Sequence, residues 1–277
     1  VVVAINKMDM VDYKEDVYNE IVSTYSNIAT ELDLQNVYYI PVSALRGDNI
    51  IATSENTSWF KGRPLLPYLE QLEVNHDNPN TSSRFQVQYV IRPQSAELHD
   101  YRGYAGKISS GKYSIGDAVK IFPSGLTSTI SAIEVNNKEV QDAHAGQSVI
   151  LHLKDDVDVT RGDAIIKVDE LPNVSQEFDA LLCWMDHKEL TEGNKYLLQQ
   201  GSRKVKAIVK EITYKLDVNT LTKHPSPASV GLNDVVRVRI KTAEPLAYDT
   251  YAELPNNGTA ILIDQTSNMT AGACLLQ

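Results

Sequence analysis

Residues 1–12 read Val1-Val2-Val3-Ala4-Ile5-Asn6-Lys7-Met8-Asp9-Met10-Val11-Asp12, five apolar residues running straight into Asn-Lys-x-Asp. A continuous apolar run of this kind is the pattern of a strand covered on both faces in a parallel sheet. The carboxyl end of such a strand is where an open α/β sheet presents its ligand contacts. Asn6, Lys7 and Asp9 therefore fall where binding chemistry is expected.

Working outward, Asp12 and Glu15 form a capping-box-like helix start. Val17, Ile21, Tyr25, Ile28 and Leu32 then recur at helical spacing, which predicts one buried helix face. Val37 to Val42 reads as a second buried strand, and Ser43-Ala44-Leu45 stands at its end. Pro64 suits the first position of a second helix, with Leu65, Leu66, Leu69 and Leu72 as its buried side. Strand, helix, strand, helix is an α/β pattern. Confined to residues 1–75, it is shorter than a complete domain of that class.

The polar stretch from Asn75 to Ser83 (NHDNPNTSS) reads as a linker. Beyond it the period changes to two, with Phe85, Val87, Tyr89 and Ile91 predicted on the buried side of a strand. Glycines at 103, 106, 111, 116, 125, 146 and 162 punctuate short β-rich runs, the pattern of a closed antiparallel barrel over 83–170. A polar break at Leu171-Pro172-Asn173 precedes a second β-rich segment, 174–277. In it Arg237, Arg239 and Lys241 alternate with Val236, Val238 and Ile240, so one face of that strand is basic. The expected fold is a partial α/β domain with a parallel sheet followed by two antiparallel β-barrels, mostly β overall.

Composition narrows the class further. With 42% hydrophobic and 22% charged residues, the 277-residue chain can bury substantial cores. It lacks the roughly 18 uninterrupted apolar residues of a membrane helix, and residues 1–5 lack the basic flank of a signal peptide, so the expectation is a cytoplasmic protein with no membrane partner. A net charge of −10 disfavours wholesale nucleic-acid binding. Cys183 and Cys274 form no C-x-x-C pair, and histidines 76, 99, 144, 152, 187 and 224 show no metal-ligand spacing.

The chemistry of Asn-Lys-x-Asp suits guanine. A carboxylate at Asp9 accepts two parallel hydrogen bonds, from N1–H and from the 2-amino group, and adenine offers neither donor on that edge. Charge-assisted bonds are worth about 1.5–3 kcal/mol each, enough for discrimination of roughly 100-fold to several thousand-fold. The Lys7 stem can lie along the base plane, and the Asn6 amide can both donate and accept to brace the loops. A backbone N–H within Ser43-Ala44-Leu45 can donate to guanine O6. As helix caps and a turn former, Asn6, Asp9 and Ser43 would have no such role, but their joint placement at two strand ends favours the base-reading site.

Three other motifs carry no chemistry in their setting. Gly106 to Lys112 has the phosphate-loop spacing G-x-x-x-x-G-K, but Tyr113 replaces the magnesium-binding Ser/Thr and no helix follows. It reads as barrel strands and a turn. Arg161-Gly162-Asp163 reads as a barrel turn rather than an adhesion tripeptide. The Asn-x-Ser/Thr triplets have meaning only in a secreted chain.

Asn6-Lys7-Met8-Asp9, Val42-Ser43-Ala44-Leu45-Arg46-Gly47-Asp48-Asn49 and Ser54-Glu55-Asn56-Thr57-Ser58-Trp59-Phe60-Lys61-Gly62 together resemble the latter half of a GTPase domain. The nearest likeness is to the elongation-factor-like GTPases, which carry two β-barrels after that domain. Leu182-Cys183-Trp184-Met185-Asp186, Tyr214 to Thr220, Pro245 to Asp249 and Ile263 to Ala273 are similar to the GTPase large subunit of bacterial sulfate adenylyltransferase. The C-H-T-type segment of the translation factors is replaced by Leu198-Gln199-Gln200-Gly201-Ser202. The resemblance implies a heterodimer in which GTP binding and hydrolysis drive the joining of ATP and sulfate into adenosine 5′-phosphosulfate and pyrophosphate on a smaller catalytic subunit. It implies guanine contacts at Asn6, Lys7, Asp9, Ser43, Ala44 and Leu45. No residue matches the family's phosphate loop, magnesium-binding threonine or D-x-P-G-H segment, so no catalytic residue is assigned and the Mg2+ ligands of the intact subunit are not in this chain. The chain is expected to be a fragment that begins inside its GTPase domain and is inactive alone. Two alternatives stay open: a translation factor delivering aminoacyl-tRNA, and an interaction module of two barrels without chemistry.

Overall fold

A computed structural model describes residues 1–72, 81–93, 101–218, 220–227 and 229–277. The predicted linker lies largely outside these residues, as do His76 and His99. The chain forms two compact units, Val1–His76 and Asp77–Gln277. No helix among the described residues is long and apolar enough to cross a membrane.

The first unit contains strand β1 (Val2–Ile5), helix α1 (Glu15–Glu31), strand β2 (Tyr38–Pro41) and the short helix α2 (Leu65–Glu70). The two strands are parallel, with Val2 opposite Tyr38 and Ile5 opposite Pro41. The expectation of a doubly covered β1 is not met: Val2 and Val3 are half-buried and Ala4 is exposed, and β2 is its one sheet neighbour among the described residues. Helix α1 turns only part of its expected face inward, with Val17, Tyr25 and Ile28 half-buried. Ile21 and Leu32 are exposed, whereas Tyr18 and Ser26 bond Tyr39, Tyr25 packs edge-on against it and Ala29 is buried. Tyrosines reaching the sheet by hydrogen bonds outweigh the aliphatic stripe, and burial pushes the Tyr18 phenol up to about 12. The capping box does not form either: Lys14 is the N-cap with no side-chain bond, and Asp12 lies at φ 53° ending a 3-10 turn. Pro64 caps α2 rather than opening it, and Leu66, Leu69 and Leu72 face outward. Tyr68 anchors that helix by stacking on Tyr38 at 4.0 Å.

The second unit holds two closed six-stranded antiparallel barrels. Strands β3 (Arg84–Ile91), β4 (Gly103–Ser110), β5 (Lys112–Ser114), β6 (Ala118–Phe122), β7 (Thr127–Val135), β8 (Lys138–Val140), β9 (Asp142–His144), β10 (Ser148–Leu153) and β11 (Ala164–Lys167) build the first. Its ring runs β10-β4-β3-β11-β6-β7 and closes from β7 to β10, with β8 extending β7 and β5–β9 forming a separate ribbon. The second uses β12 (Asn173–Trp184), β13 (Lys195–Gln200), β14 (Arg203–Leu216), β15 (Lys223–Pro225), β16 (Val235–Tyr248), β17 (Thr259–Ile263) and β18 (Thr270–Leu276). Its ring runs β13-β17-β18-β12-β16-β14 and closes from β14 to β13.

Alternation predicts the inward residues well until a bulge intervenes. Phe85 and Val87 are buried, but the register of β3 shifts between Val87 and Tyr89. An extra residue reverses every side chain after it, so Tyr89 is 64% exposed and Val90 packs on the core instead. The phosphate-loop look-alike is β4, a turn and β5, as its sequence context indicates. Gly106 is there for close strand approach: a Cβ would stand 2.4 Å from the Gln86 carbonyl oxygen.

Polar contacts join the barrels. Arg84, 4% exposed, donates twice to Asp249 at 2.7 Å and also to the Ser83 and Glu170 carbonyls. Gln86 exchanges bonds with Gln200 O and Ser202 N–H. Gly162 sits at φ 95° in a turn whose Asp163 is buried and accepts from Arg203, so Arg161-Gly162-Asp163 is a structural turn. Two of the three cations on the basic face of β16 are paired by its neighbours. Arg237 and Arg239 pair with Asp179, Arg239 also with Glu211, and these contacts hold the Asp179 carboxyl below the usual carboxylate range.

Candidate functional site

The parallel pairing of β1 and β2 brings two strand ends side by side, and the chain continues the pairing past them. Val42 N–H donates to Ile5 O at 2.9 Å, and Met8 N–H returns a bond to Val42 O at 3.2 Å. Met8, 1% exposed, plugs the floor beneath the loop. Asn6, Lys7 and Asp9 therefore meet Ser43, Ala44 and Leu45 at one sheet edge, in a single cluster.

Backbone geometry there is unusual. Lys7 adopts φ 65°, ψ 32°, the left-handed region, which costs a residue with a Cβ about 1–2 kcal/mol. Asn6 compensates: its Oδ1 accepts the Lys7 N–H at 2.7 Å and the Ala44 N–H at 3.0 Å. One side-chain oxygen thus locks the loop after β1 to the loop after β2.

Asp9 is held as directly. Ser43, fully buried, donates its hydroxyl to Asp9 Oδ1 at 2.7 Å and accepts the Arg46 N–H at 3.2 Å. The second carboxylate oxygen has no partner among the described residues, and Asp9 remains partly exposed. Asn6, Lys7, Ala44 and Leu45 are all exposed, Leu45 at 82%. A carboxylate oriented from below and open above can accept donors from a flat heterocycle. The amides of 43–45 are more restricted than their spacing suggests: Ser43 N–H donates to Asp48 O and Ala44 N–H to Asn6. Leu45 N–H is the one of the three with no acceptor among the described residues.

Two further residues shape the site, and the sequence displays them only as parts of a motif string. Asp48 accepts from Tyr13 Oη and Ser54 Oγ, both at 2.6 Å, and from Asn56 Nδ2 at 3.3 Å. Chiefly the Ser54 bond, then that from Tyr13, holds its carboxyl below the usual range against the pull of desolvation. Asn49, 1% exposed, donates to Pro41 O and Thr57 Oγ1 and accepts from Ser54 N–H. A buried amide so fully satisfied rigidifies its surroundings. The available signal was Asp48-Asn49 following Gly47, which takes φ 82°, with Ser54, Asn56 and Thr57 in reach downstream.

No group of three or more potential metal ligands occurs among the described residues. Neither cysteine is in a disulfide: Cys183 is exposed, and burial pushes the Cys274 thiol up to about 12.

A domain-family model described as GTP-eEF1A C-terminal domain-like matches residues 177–277. Sulfate adenylyltransferase subunit 1 of Chromobacterium violaceum is 40% identical over 277 residues, 100% of this chain and 57% of that protein. The protein of the same name from Bacteroides fragilis is 39% identical over 276 residues, again 100% of this chain and 57% of its own length. The bifunctional enzyme CysN/CysC of Mycobacterium tuberculosis is 39% identical over 273 residues, 98% of this chain and 44% of that one. Among solved structures, sup35 complexed with GMPPNP superposes with a TM-score of 0.66 at 22% identity, covering 99% of this chain and 68% of sup35. The apo form of translation elongation factor SelB from Methanococcus maripaludis gives 0.57 at 18% identity, covering 100% and 58%.

Fold and comparisons agree on the architecture: part of an α/β unit with a parallel sheet and two antiparallel β-barrels, the fold of the compared structures. Its sequence relatives include the sulfate adenylyltransferase subunit 1 proteins, to which the whole of this chain aligns. The chain spans a little over half the length of those curated relatives, 57% of the first.

Proposed function

We propose that this chain is the guanine-reading and barrel portion of a sulfate adenylyltransferase subunit 1. In the intact assembly, GTP binding and hydrolysis drive ATP and sulfate to adenosine 5′-phosphosulfate and pyrophosphate on a smaller catalytic subunit. The observation that carries the reading is Asp9, oriented by Ser43 at 2.7 Å and open above, in a chain 40% identical throughout to a subunit 1 protein. Asp9 would accept from guanine N1–H and the 2-amino group, and Asn6 and Ser43 hold it and its loop in place. Lys7 supplies its stem to one face of the base, and Leu45 N–H is the donor suited to O6. The phosphates of bound GTP supply most of the affinity in such sites. The 277 residues contain no complete phosphate-loop motif and no candidate magnesium cluster among the described residues, so no hydrolytic step is assigned to them.

The translation-factor reading is disfavoured by sequence, since sup35 and SelB share the fold at 22% and 18% identity, well below the subunit 1 relatives. The test is pyrophosphate release from ATP and sulfate by the complete subunit with its partner. Several-fold stimulation by GTP supports the proposal. A rate indifferent to GTP, or tight salt-sensitive binding of aminoacyl-tRNA, overturns it.

A further inference from the structure

Cations on the outside of the second barrel fall into two groups. The first group is paired within the sheet: Arg237 and Arg239 with Asp179 at 3.1 and 2.9 Å, Lys210 with Glu177 and Lys215 with Asp234 both at 2.7 Å. Lys195, Lys204, Lys206 and Lys241 form the second group. All four are exposed, and none makes an ion pair among the described residues. Lys241 stands opposite Glu177 in register, but that carboxylate is held by Lys210.

Strand register gathers these four lysines into one patch. Lys195 lies beside Ile208, and Ile208 beside Lys241, in a row across β13, β14 and β16. Lys206 lies beside Leu197, and Lys204 follows two residues along the same face of β14. A shallow groove of about 440 Å³ runs among Lys195, Lys206 and Lys241 over Ile208 and Ala243. Leu197 and Ile208 are half-buried and give the patch an aliphatic floor.

The chemistry of this face selects its occupant. Like charges gathered on neighbouring strands repel one another, and four lysines without an ion pair among the described residues, Lys241 alone sharing Glu177 with Lys210, in a chain of net charge −10 call for carboxylates or phosphates from outside. Single-stranded nucleic acid is bound on aromatic platforms, and none lines this groove. Phosphate recognition favours the bidentate fork of arginine, yet the arginines of this sheet are already paired. Aliphatic contacts ringed by lysines match a folded protein surface whose apolar centre is rimmed by Asp and Glu.

We propose that this outer face of the second barrel docks an acidic face of the second subunit of the assembly. The proposal rests on the functional reading above. The experiment is isothermal titration of the complete protein with its partner subunit at low and high salt, using Lys195→Glu/Lys206→Glu/Lys241→Glu, with Lys138→Glu on the first barrel as control. All four positions are exposed, and thermal unfolding by circular dichroism checks that the variants fold as the parent does. The triple variant is expected to lose 100-fold or more in affinity at low salt and to lose the salt dependence of the parent, while Lys138→Glu binds as the parent does. Association of parent and triple variant with equal affinity overturns the docking face and leaves the functional reading standing. A parent that does not associate with the partner removes both. A triple variant that keeps the partner and loses binding of a ribo-oligonucleotide assigns the patch to nucleic acid and overturns the proposal.

Discussion

The two units bury their apolar residues very differently. In the first, the buried apolar side chains among the described residues are Ile5, Met8, Ala29, Ile40 and Val42, while Ile21, Leu45, Ile51, Leu66, Leu69 and Leu72 are exposed. In the second, each barrel encloses its own continuous core, with Trp184, Leu198 and Leu262 at the centre of one and Phe85, Tyr104 and Ile133 at the centre of the other. A closed barrel satisfies every strand edge within itself, whereas a two-stranded parallel sheet cannot. The first unit instead relies on side-chain hydrogen bonds and stacked rings: Tyr38 on Tyr68, Trp59 on Tyr13 O and the Asp48–Asn49 network. The lesson is that the site is held by polar contacts on a thin apolar base, while the barrels stand on burial.

The largest effect predicted from that contrast lies between the barrels. Arg84→Met leaves Asp249 buried without its guanidinium and should cost about 3–5 kcal/mol, whereas Arg84→Met/Asp249→Leu should cost much less. Urea unfolding followed by circular dichroism measures both, and a double variant as unstable as the single would remove the ion pair as the cause.

Core truncation comes next. Leu198→Ala, at a fully buried barrel position, should cost about 2–5 kcal/mol. Leu66→Ala, 43% exposed in the first unit, should stay within about 0.5 kcal/mol. Equal costs in the two units would break the comparison.

A smaller effect concerns pH. The Asp48 carboxyl titrates below its ordinary value of 3.8 in the folded chain, chiefly through Ser54 and Tyr13. Its contribution is therefore fully present above the unfolded value and is lost as pH falls through the lowered folded one. Trp59 fluorescence should report an acid transition below that value, and Asp48→Asn should abolish the pH dependence while lowering stability at neutral pH. The smallest effect is a count of thiols. Cys274 lies in the barrel core and Cys183 on its surface, so a thiol reagent should label one cysteine in the native chain and two in denaturant.

How much of this was legible in the sequence depended on the range of the interaction. Local signals carried far: the apolar run before Asn6, the serine ending the next strand, and the glycine-punctuated alternation that marks two barrels. Where one local rule competes with another, the reading slipped. The bulge after Val87 reversed the inward face of β3, and Tyr18 and Ser26 claimed the inner face of α1 from Ile21 and Leu32. Long-range polar pairs left no trace at all, since Arg84 and Asp249 are 165 residues apart and no periodicity links them. Within the site, Asn6 and Asp9 were legible as types, but not that one Asn6 oxygen ties both loops or that Asp48 and Asn49 brace the second.

The most direct test of the account is base selectivity at Asp9. In the complete protein, competition between GTP and XTP should show Asp9→Asn losing at least 10-fold in GTP affinity and gaining preference for XTP, because the Asn amide donates to the xanthine O2. Unchanged GTP affinity in that variant would contradict the account and remove Asp9 from the base-reading site.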